Sequence, residues 1–242
     1  MKTFLKSYWK DIVMINYEVP KELLLPYLPY GIELDEFEGK YFVSLVGFQF
    51  LKSTIFGMPI PVYGSFDEVN LRFYVKRFVN NEIRRGVVFI SEIVPNKIVA
   101  FLANTLYKEH YSYAKMNSYF SINHHVKNIN YNWKKNNTDF FIKATFDNTE
   151  MPITKGSHEE FIYEHYYGYT KVNDKETWEY KVNHTQWHTN KILSYELFCD
   201  FELFYGSEFG FLISQQPHSV YNAIGSAVSI DWHIHKMKDE TN

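Results

Sequence analysis

The segment EVNLRFYVKRF, at Glu68–Phe78, decides the fold class because it alternates strictly between polar and apolar residues over its first nine positions. Successive side chains of a β-strand point to opposite faces, so this pattern predicts a strand with one apolar and one polar face. Asn80–Asn81 is a turn signal, and the segment RGVVFISEIV at Arg85–Val94 follows as a second strand. The three segments together predict an antiparallel β-hairpin.

Further strands are predicted wherever apolar or alternating segments are bounded by turn residues. They lie at Lys10–Val19, Tyr41–Phe50, Ser112–Ile122, Val126–Trp133, Asp139–Phe146, Tyr167–Val172, Thr177–Asn183 and Ser219–His233, with a bulge expected at Gly225. Asn136–Asn137 is expected to join two of these strands, and the segment FGMPIPVYG at Phe56–Gly64 is expected to form a loop. Leu193–Phe204 fits a strand or a helix equally well.

Three helices are predicted among these strands. A short one follows Pro20, an amphipathic one covers Lys97–Glu109, and a third covers Gly156–Glu164 with Ser157 as its N-cap. Because strands outnumber helices, the sequence predicts an α+β fold in which mainly antiparallel strands form a barrel-like core with a few packed helices. No Gly-, Ser- or Pro-rich linker divides residues 1–242, so a single domain is expected.

The composition excludes several classes of function. The 242-residue chain has a formal net charge of −3, which gives no electrostatic support for binding nucleic acid. Its single cysteine, Cys199, cannot form an internal disulfide and fits a reducing compartment. Every apolar run is far shorter than a membrane span, and charged residues interrupt the first 20 positions. A cytoplasmic location without membrane contact is therefore expected, and the oligomeric state is left open.

The polar face of the hairpin is the first candidate site. Glu68, Asn70 and Arg72 occupy alternate positions on one strand, and Arg85 and Glu92 follow on the next. Facing a cavity, this set would supply carboxyl groups for acid–base chemistry and a guanidinium for a ligand carboxylate. Facing water, the same residues would form ordinary cross-strand ion pairs, and strand geometry alone favours that interpretation.

Two further candidates follow along the chain. Asn104, Tyr107, Glu109 and Tyr111 lie near the end of the predicted amphipathic helix. Glu109 would serve as a base if it were buried, and otherwise belongs to a polar helix end. Lys115, in the segment YSYAKMNSYF, would be a nucleophile toward carbonyl compounds if an apolar pocket lowered its pKa. Most lysines on strands instead extend to water.

The last candidates are rich in histidine. Glu164, His165 and Tyr169 occur in the segment EHYYGY, which fits either acid–base work or a structural hydrogen-bond network. Glu179, Tyr180 and His184 on the next strand belong to the same cluster. Asp231, His233 and His235 have the spacing of a metal site on one strand, but with ten histidines in the chain this spacing also arises by chance, and no metal or cofactor is predicted.

Long blocks of the sequence resemble the YqjF-like family of uncharacterised bacterial proteins. The blocks are NYEVP at Asn16–Pro20, LPYGIELDEFEGKYFVSLVGFQF at Leu28–Phe50, FDEVNLRFYVKR at Phe66–Arg77, RRGVVFISEIVP at Arg84–Pro95, ANTLYKEHY at Ala103–Tyr111, GSHEEFIYEHYYGYT at Gly156–Thr170 and EYKVNHTQW at Glu179–Trp187. They span roughly residues 8–232. The resemblance implies an acetoacetate decarboxylase-like fold, with a closed antiparallel barrel-like core around a cavity. It thereby favours a cavity-facing position for Glu68, Asn70, Arg72 and Arg85.

The resemblance also bears on Lys115. Acetoacetate decarboxylase uses a Schiff-base lysine beside a second lysine, and YSYAKM is a loose match to that segment. Here the neighbours of Lys115 are Ala114 and Met116, so the paired lysine is missing.

Three functions are therefore carried forward. The first is binding of a small organic acid or carbonyl compound in an enclosed polar cavity, with or without catalysis. The second is a non-enzymatic protein-interaction module, and the third is decarboxylase or lyase chemistry through an imine at Lys115.

Overall fold

Strands make up most of the chain in the computed structural model, which describes residues 3–60 and 64–239. Fifteen strands are present in the described residues. They are β1 (Thr3–Val19), β2 (Glu33–Leu34), β3 (Tyr41–Ile55), β4 (Met58–Pro59), β5 (Phe66–Val79), β6 (Glu82–Val94), β7 (Tyr111–Tyr113), β8 (Lys115–Asn123), β9 (Val126–Lys135), β10 (Thr138–Pro152), β11 (Tyr167–Asn173), β12 (Glu176–His184), β13 (His188–Phe198), β14 (Ser219–Asp231) and β15 (His235–Lys238).

The helices are short. They are α1 (Lys21–Leu24), α2 (Lys97–Leu106), α3 (His158–Tyr163) and α4 (Phe201–Tyr205), with 3-10 turns at Leu25–Tyr27 and Ser207–Ile213. In the described part of the chain, no helix combines the length and the apolar character needed to cross a membrane. The α+β class with mainly antiparallel strands is confirmed.

Seven strands form a ring that gives the molecule its barrel-like core. They follow the order β12, β11, β6, β5, β3, β1, β14, and β14 pairs again with β12 through Val182–Ile230, Asn183–Ser229 and His184–Val228. All neighbours in the ring are antiparallel except β11 and β6, which are parallel. Nearer its start, at Ala223, the edge of β14 that pairs with β12 pairs instead with β13. The sheet continues from β13 through β10 and β9 to β8, and this extension forms a wing beside the ring.

The wing explains why the central strands are buried on both faces. The outer face of β1, β3 and β5 packs on the wing through a core that includes Val69, Leu71, Phe73 and Ile142. The inner face of the same strands encloses the ring interior. A polar side chain on the inner face of β5 is therefore shielded from bulk water, although its strand alternates as an exposed strand would.

Both predicted Asn–Asn turns are confirmed. Asn80 and Asn81 join β5 to β6 with φ values of 48° and 65°, and Asn136 and Asn137 join β9 to β10 with φ values of 50° and 62°. A two-residue hairpin turn with positive φ at both positions favours asparagine, because its side chain tolerates the left-handed region. These turns fix the register of the two hairpins.

Several predicted boundaries differ from the structure. The helix predicted over Lys97–Glu109 ends at Leu106, so Glu109 lies in the following loop. The strand predicted over Ser112–Ile122 is split into β7 and β8, which pair with different neighbours. Leu193–Phe204 contains the end of β13 and the start of α4, and Met58–Pro59 forms the short strand β4 within the predicted loop, whose residues 61–63 lie outside the described chain.

Gly225 does not form the predicted bulge. The pairing of β1 with β14 continues without a slip through Lys10–Gly225 and Ile12–Ala223. Gly225 instead has a φ of 94° and lies where the free edge of β14 changes partner, from β13 at Ala223 to β12 at Val228. The positive φ, and not an extra residue, is what requires glycine there.

We expect Gly225→Ala to destabilise the protein by about 2 kcal/mol or more, since a Cβ at this position would lie 2.0 Å from the Trp9 carbonyl oxygen at a φ that L-residues rarely adopt. Urea unfolding of the variant and the wild type measures the difference. Gly210→Ala is the matched control, because its Cβ would meet only Glu202 atoms at 3.4 Å. An equal free energy of unfolding for Gly225→Ala and the wild type would contradict this account of the ring.

Candidate functional site

A polar cavity of about 60 Å³ lies inside the ring of strands. Its polar lining groups are Glu68, Asn70, Arg72, Glu92, Tyr111, His165, Tyr180 and His184. Its apolar walls include Met14, Phe48 and Trp187. A water-sized group needs roughly 10–15 Å³ by this measure, so the space corresponds to about four to six such positions.

The polar face of β5 forms one wall of this cavity. Glu68, Asn70 and Arg72 are only 2%, 1% and 9% exposed, and all three side chains line the space. The interpretation of this face as a solvated sheet surface is therefore wrong. The alternation predicted the shared face, and the closure of the ring places that face on the inside.

Tyrosine hydroxyl groups hold two buried glutamates: Glu68, which lines the cavity, and Glu109, which lines the space next to it. The Tyr111 hydroxyl donates to Glu68 Oε2 at 3.1 Å, while Asn70 Nδ2 donates to Glu68 Oε1 at 2.9 Å. The Tyr180 hydroxyl donates to Glu109 Oε1 at 2.8 Å, and the Thr170 hydroxyl donates to the same oxygen at 2.7 Å. Glu109 is buried, so its interpretation as a polar helix end is also wrong.

Burial raises the pKa values of all three carboxyl groups. Removal from water is the largest cause in each case, and it brings the pKa of Glu68 and of Glu109 to about 7. The pKa of Glu92 is raised well above its usual range by burial and by the charges of Glu109 and Glu68. Glu92 Oε2 has no hydrogen-bond partner among the described residues, which fits a protonated carboxyl group. Glu68 therefore places in the cavity wall a group that can both donate and accept a proton near neutral pH.

Arg72 supplies a positive charge without an ion-pair partner among the described residues, although its guanidinium carbon lies 5.7 Å from the centre of the Tyr74 ring. Its Nη2 lies 3.5 Å from the Ile162 carbonyl oxygen and 3.6 Å from Met14 Sδ, and its Nε has no hydrogen-bond partner in the described chain. No carboxylate oxygen of the described residues lies within ion-pair distance of the guanidinium. A buried charge left in this state is costly, and the cost falls when an anion enters the cavity.

Arg85 does not line the cavity, contrary to prediction. Its Nε lies 3.2 Å from Asp35 Oδ2, and its side chain is 43% exposed. Lys76 Nζ reaches the other oxygen of Asp35 at 3.3 Å. The reason is its place along the hairpin: Arg85 pairs with Lys76, beyond the cavity-facing part of β5.

His165 connects this ion-pair group to the cavity. Its Nε2 lies 3.6 Å from Asp35 Oδ2, and its ring lines the cavity wall. Burial is the largest effect on the histidine and lowers its pKa to about 4, although Asp35 opposes the shift. His165 is therefore neutral at pH 7 and offers one donor and one acceptor nitrogen.

Lys115 lies outside the cavity. It is an exposed residue at the start of β8 and pairs with Lys134 on β9, in the wing. None of the side chains that line the cavity is a lysine. The predicted pocket around Lys115 is wrong, because β8 forms the outer edge of the wing and not part of the ring.

The other predicted residues surround the site without entering it. Asn104 binds the backbone of Tyr111 twice, through Nδ2 to the carbonyl oxygen at 2.9 Å and through Oδ1 to the amide at 2.7 Å. Glu164 accepts a hydrogen bond from Tyr166 at 2.5 Å, and the Tyr169 hydroxyl donates to the Arg84 carbonyl oxygen at 3.3 Å. Tyr107 lines a neighbouring apolar chamber, next to Phe4 and Leu102.

The alternative of a metal site at Asp231, His233 and His235 does not agree with the structure. Asp231 ends β14 and His235 begins β15, so the three residues do not share a strand. Across residues 3–60 and 64–239, no three His, Cys, Asp or Glu side chains are grouped as metal ligands.

Tyr111, Tyr180 and His184 are site residues that the prediction noted only as neighbours. Strand parity gives the missing signal for two of them, because Tyr180, Val182 and His184 share one face of β12 and all line the cavity. Glu179 lies on the opposite face and pairs with Arg77 and Arg84. Gly168 was a further signal, since a Cβ there would lie 2.1 Å from the Tyr180 ring.

The sequence matches a protein family and is similar to a bacterial relative. Residues 6–227 match the model of the family DUF2071, described as an uncharacterized conserved protein. The chain is 26% identical over 190 residues to the uncharacterized protein YqjF of Bacillus subtilis (strain 168), covering 76% of this chain and 74% of that protein.

The fold is similar to that of solved structures of low sequence identity. An acetoacetate decarboxylase from Legionella pneumophila has a TM-score of 0.64 at 14% identity, covering 98% of this chain and 88% of that one. The enduracididine biosynthesis enzyme MppR, complexed with the condensation product of pyruvate and imidazole 4-carboxaldehyde, has a TM-score of 0.65 at 11% identity, covering 100% of this chain and 92% of that one. The acetoacetate decarboxylase-like fold is confirmed.

The raised carboxyl pKa values predict a pH-dependent difference between the wild type and Glu109→Gln. With a folded pKa of about 7 against the ordinary 4.5, Glu109 stabilises the protein fully below about pH 4.5 and loses this contribution as the pH rises through 7. The neutral glutamine has no such loss. We therefore expect the stability of the variant relative to the wild type to rise by about 1–3 kcal/mol between pH 4.5 and pH 8.

Urea unfolding at several pH values measures this difference. Glu33→Gln, at an exposed position on β2, is the control and should give a curve parallel to that of the wild type. A constant stability difference between Glu109→Gln and the wild type across this range would show that the pKa of Glu109 is the same in the folded and the unfolded protein, and would contradict the raised value.

Proposed function

The chain belongs to the DUF2071 family, whose description assigns no activity, and we propose that its cavity binds a small organic acid or carbonyl compound and exchanges protons with it. The observation that carries this proposal is the buried guanidinium of Arg72, which faces the cavity without an ion-pair partner among the described residues. A ligand carboxylate would supply the missing partner through paired N–H···O bonds.

The carboxyl groups across the cavity provide the second part of the proposal. Glu68 lies four residues before Arg72 on the same face of β5, with a pKa of about 7. Both of its protonation states are therefore populated at neutral pH. Bound by its carboxylate to Arg72, a keto or hydroxy acid would direct its carbon chain toward Glu68 and Glu92. These groups would donate a proton to a carbonyl oxygen or accept one from the adjacent carbon.

The MppR complex and the acetoacetate decarboxylase support the ligand class. Their names associate this fold with a condensation product of pyruvate and with acetoacetate. Pyruvate and acetoacetate are both small keto acids. The mechanism proposed here does not use an imine, because no lysine lines the cavity. Proton transfer by glutamates is the chemistry that the lining residues of this chain can perform.

Arg72→Gln is expected to abolish binding of small carboxylates. A ligand at about 100 times its dissociation constant adds about 2.7 kcal/mol to the stability of the wild type, or roughly 5–11 °C in Tm for a domain of this size. Thermal-shift measurements with pyruvate, acetoacetate, lactate and succinate should give such a shift for at least one acid, and Arg72→Gln should give none. The ligand-free variant should melt at the same temperature as the wild type or higher, since an unpaired buried charge is removed.

Arg85→Gln is the matched control for this measurement. It removes the same functional group from the same sheet, but its guanidinium pairs with Asp35 outside the cavity, so the ligand-induced shift should remain. No shift with any of these acids would contradict the proposal and favour the protein-interaction module. A shift that survives Arg72→Gln but is lost in Arg85→Gln would place the anion site at the Arg85 guanidinium, outside the cavity, and would contradict the proposal.

Borohydride treatment should not link a keto acid to the protein. Trapping requires an imine between a lysine and the ligand, and Lys115 is exposed in the wing, where nothing shields a neutral amine. Intact mass spectrometry after treatment with acetoacetate and sodium borohydride measures any adduct. An adduct that is lost in Lys115→Ala would instead support the decarboxylase or lyase hypothesis.

A further inference from the structure

A second, apolar chamber adjoins the polar cavity, and we propose that it holds the apolar tail of the same ligand, so that the natural ligand is a medium-length aliphatic or aryl-substituted acid. This inference rests on the proposed function and specifies the ligand class. The chamber has a volume of about 150 Å³, and its walls are mainly apolar, with Phe4, Ile55, Phe66, Val99, Leu102 and Ala103 among them. Glu109 lines it where it adjoins Tyr111 and Tyr180.

The two spaces are separated by side chains that belong to both. Phe50, Tyr111, Tyr180 and Ile230 line the polar cavity on one side and the apolar chamber on the other. Tyr111 and Tyr180 hold Glu68 and Glu109, so the partition carries the hydrogen bonds of the acidic groups. A ligand that spans the partition would therefore have its polar end among the carboxyl groups and its apolar end in the chamber.

Strand β5 gives the direction of such a ligand. Phe66 lines the chamber, whereas Glu68, Asn70 and Arg72 line the cavity, and all four occupy alternate positions on one face. An acid bound to Arg72 therefore points along β5 past Glu68 and Tyr111 to the chamber.

Helix α2 covers the chamber from the solvent side. Its residues Ile98 and Leu102 line the chamber although they are 59% and 38% exposed. The predicted amphipathic helix thus does not bury its apolar side in the core, because an unfilled apolar space lies beneath it. An aliphatic tail in this space would bury the apolar side chains of α2, which accounts for their presence at exposed positions.

A series of straight-chain carboxylates tests this inference by isothermal titration calorimetry. The series is acetate, butanoate, hexanoate and octanoate, with the wild type at constant ionic strength. Each methylene that enters the chamber should raise the affinity by roughly fourfold, which corresponds to about 0.8 kcal/mol. The increase should begin only with the acids that are long enough to pass the partition.

Ala103→Phe and Val99→Phe should remove the dependence on chain length by filling the chamber. Acetate and butanoate should bind to these variants as to the wild type, while octanoate should bind no more tightly than butanoate. Thr105→Phe adds a larger side chain to the same helix at an exposed position that does not line the chamber, so it should keep the wild-type dependence. Two filling variants guard against the misfolding of either one.

The outcomes separate the tail pocket from the anion site. If acids bind through Arg72 but affinity does not depend on length, the tail pocket is wrong and the proposed function stands. If no acid binds, both are wrong. If octanoate binds equally well to Arg72→Gln, the chamber takes apolar molecules independently of the cavity, which overturns a shared ligand.

Discussion

The site depends on the burial of one guanidinium close to three carboxyl groups. A charge removed from water must be paired, neutralised or solvated by polar groups. The carboxyl groups meet this requirement by binding protons more tightly, since burial raises the pKa of Glu68 and of Glu109 to about 7 and that of Glu92 well above its usual range. An arginine cannot release its proton in this range, so Arg72 remains charged. The ring therefore keeps one positive charge that contacts no carboxylate directly, beside carboxyl groups that are partly protonated at neutral pH, and an incoming anion can pair with it.

The fold supports this arrangement by burying β1, β3 and β5 on both faces. The outer face packs on the wing of β8–β10 and β13, so the strands are held in place without help from the interior. The interior can then carry polar groups whose packing is imperfect. A protein with a single sheet over this core would have to fill the same space with apolar side chains to remain stable. Two-sided burial separates the residues that stabilise the sheet from those that form the site.

Sequence reasoning recovered the hairpins and the polar face but not which way that face points. Alternation in Glu68–Phe78 fixes which residues share a side, and paired asparagines fix the turns. Whether that side meets water depends on the β12–β14 contact, which joins residues about 46 positions apart through three pairs and leaves no local pattern. Resemblance to a family with a closed core supplied that missing information for Glu68, Asn70 and Arg72. It misled for Arg85, because two strands that share a cavity contribute to it only over part of their lengths.

The candidate lysine illustrates the opposite error. YSYAKM resembles a reactive segment in its letters, but β8 lies at the outer edge of the wing. Position in the sheet, not the local sequence, decides whether a lysine is desolvated. Likewise, Glu179 and Tyr180 are adjacent in sequence, yet Glu179 binds two arginines outside the ring while Tyr180 reaches Glu109 inside it. Strand parity along the EYKVNH segment is enough to assign these two residues to opposite faces from the sequence alone.

The double hydrogen bond between Asn104 and the backbone of Tyr111 has a consequence for regulation. Asn104 belongs to the helix that covers the apolar chamber, and Tyr111 holds the carboxyl group of Glu68 in the polar cavity. A movement of the helix that carried Asn104 with it would also move Tyr111, and a longer hydrogen bond from its hydroxyl would change the proton affinity of Glu68. Binding of a ligand in the chamber and protonation of Glu68 in the cavity would then be coupled. By thermodynamic reciprocity, each event would change the free energy of the other by the same amount.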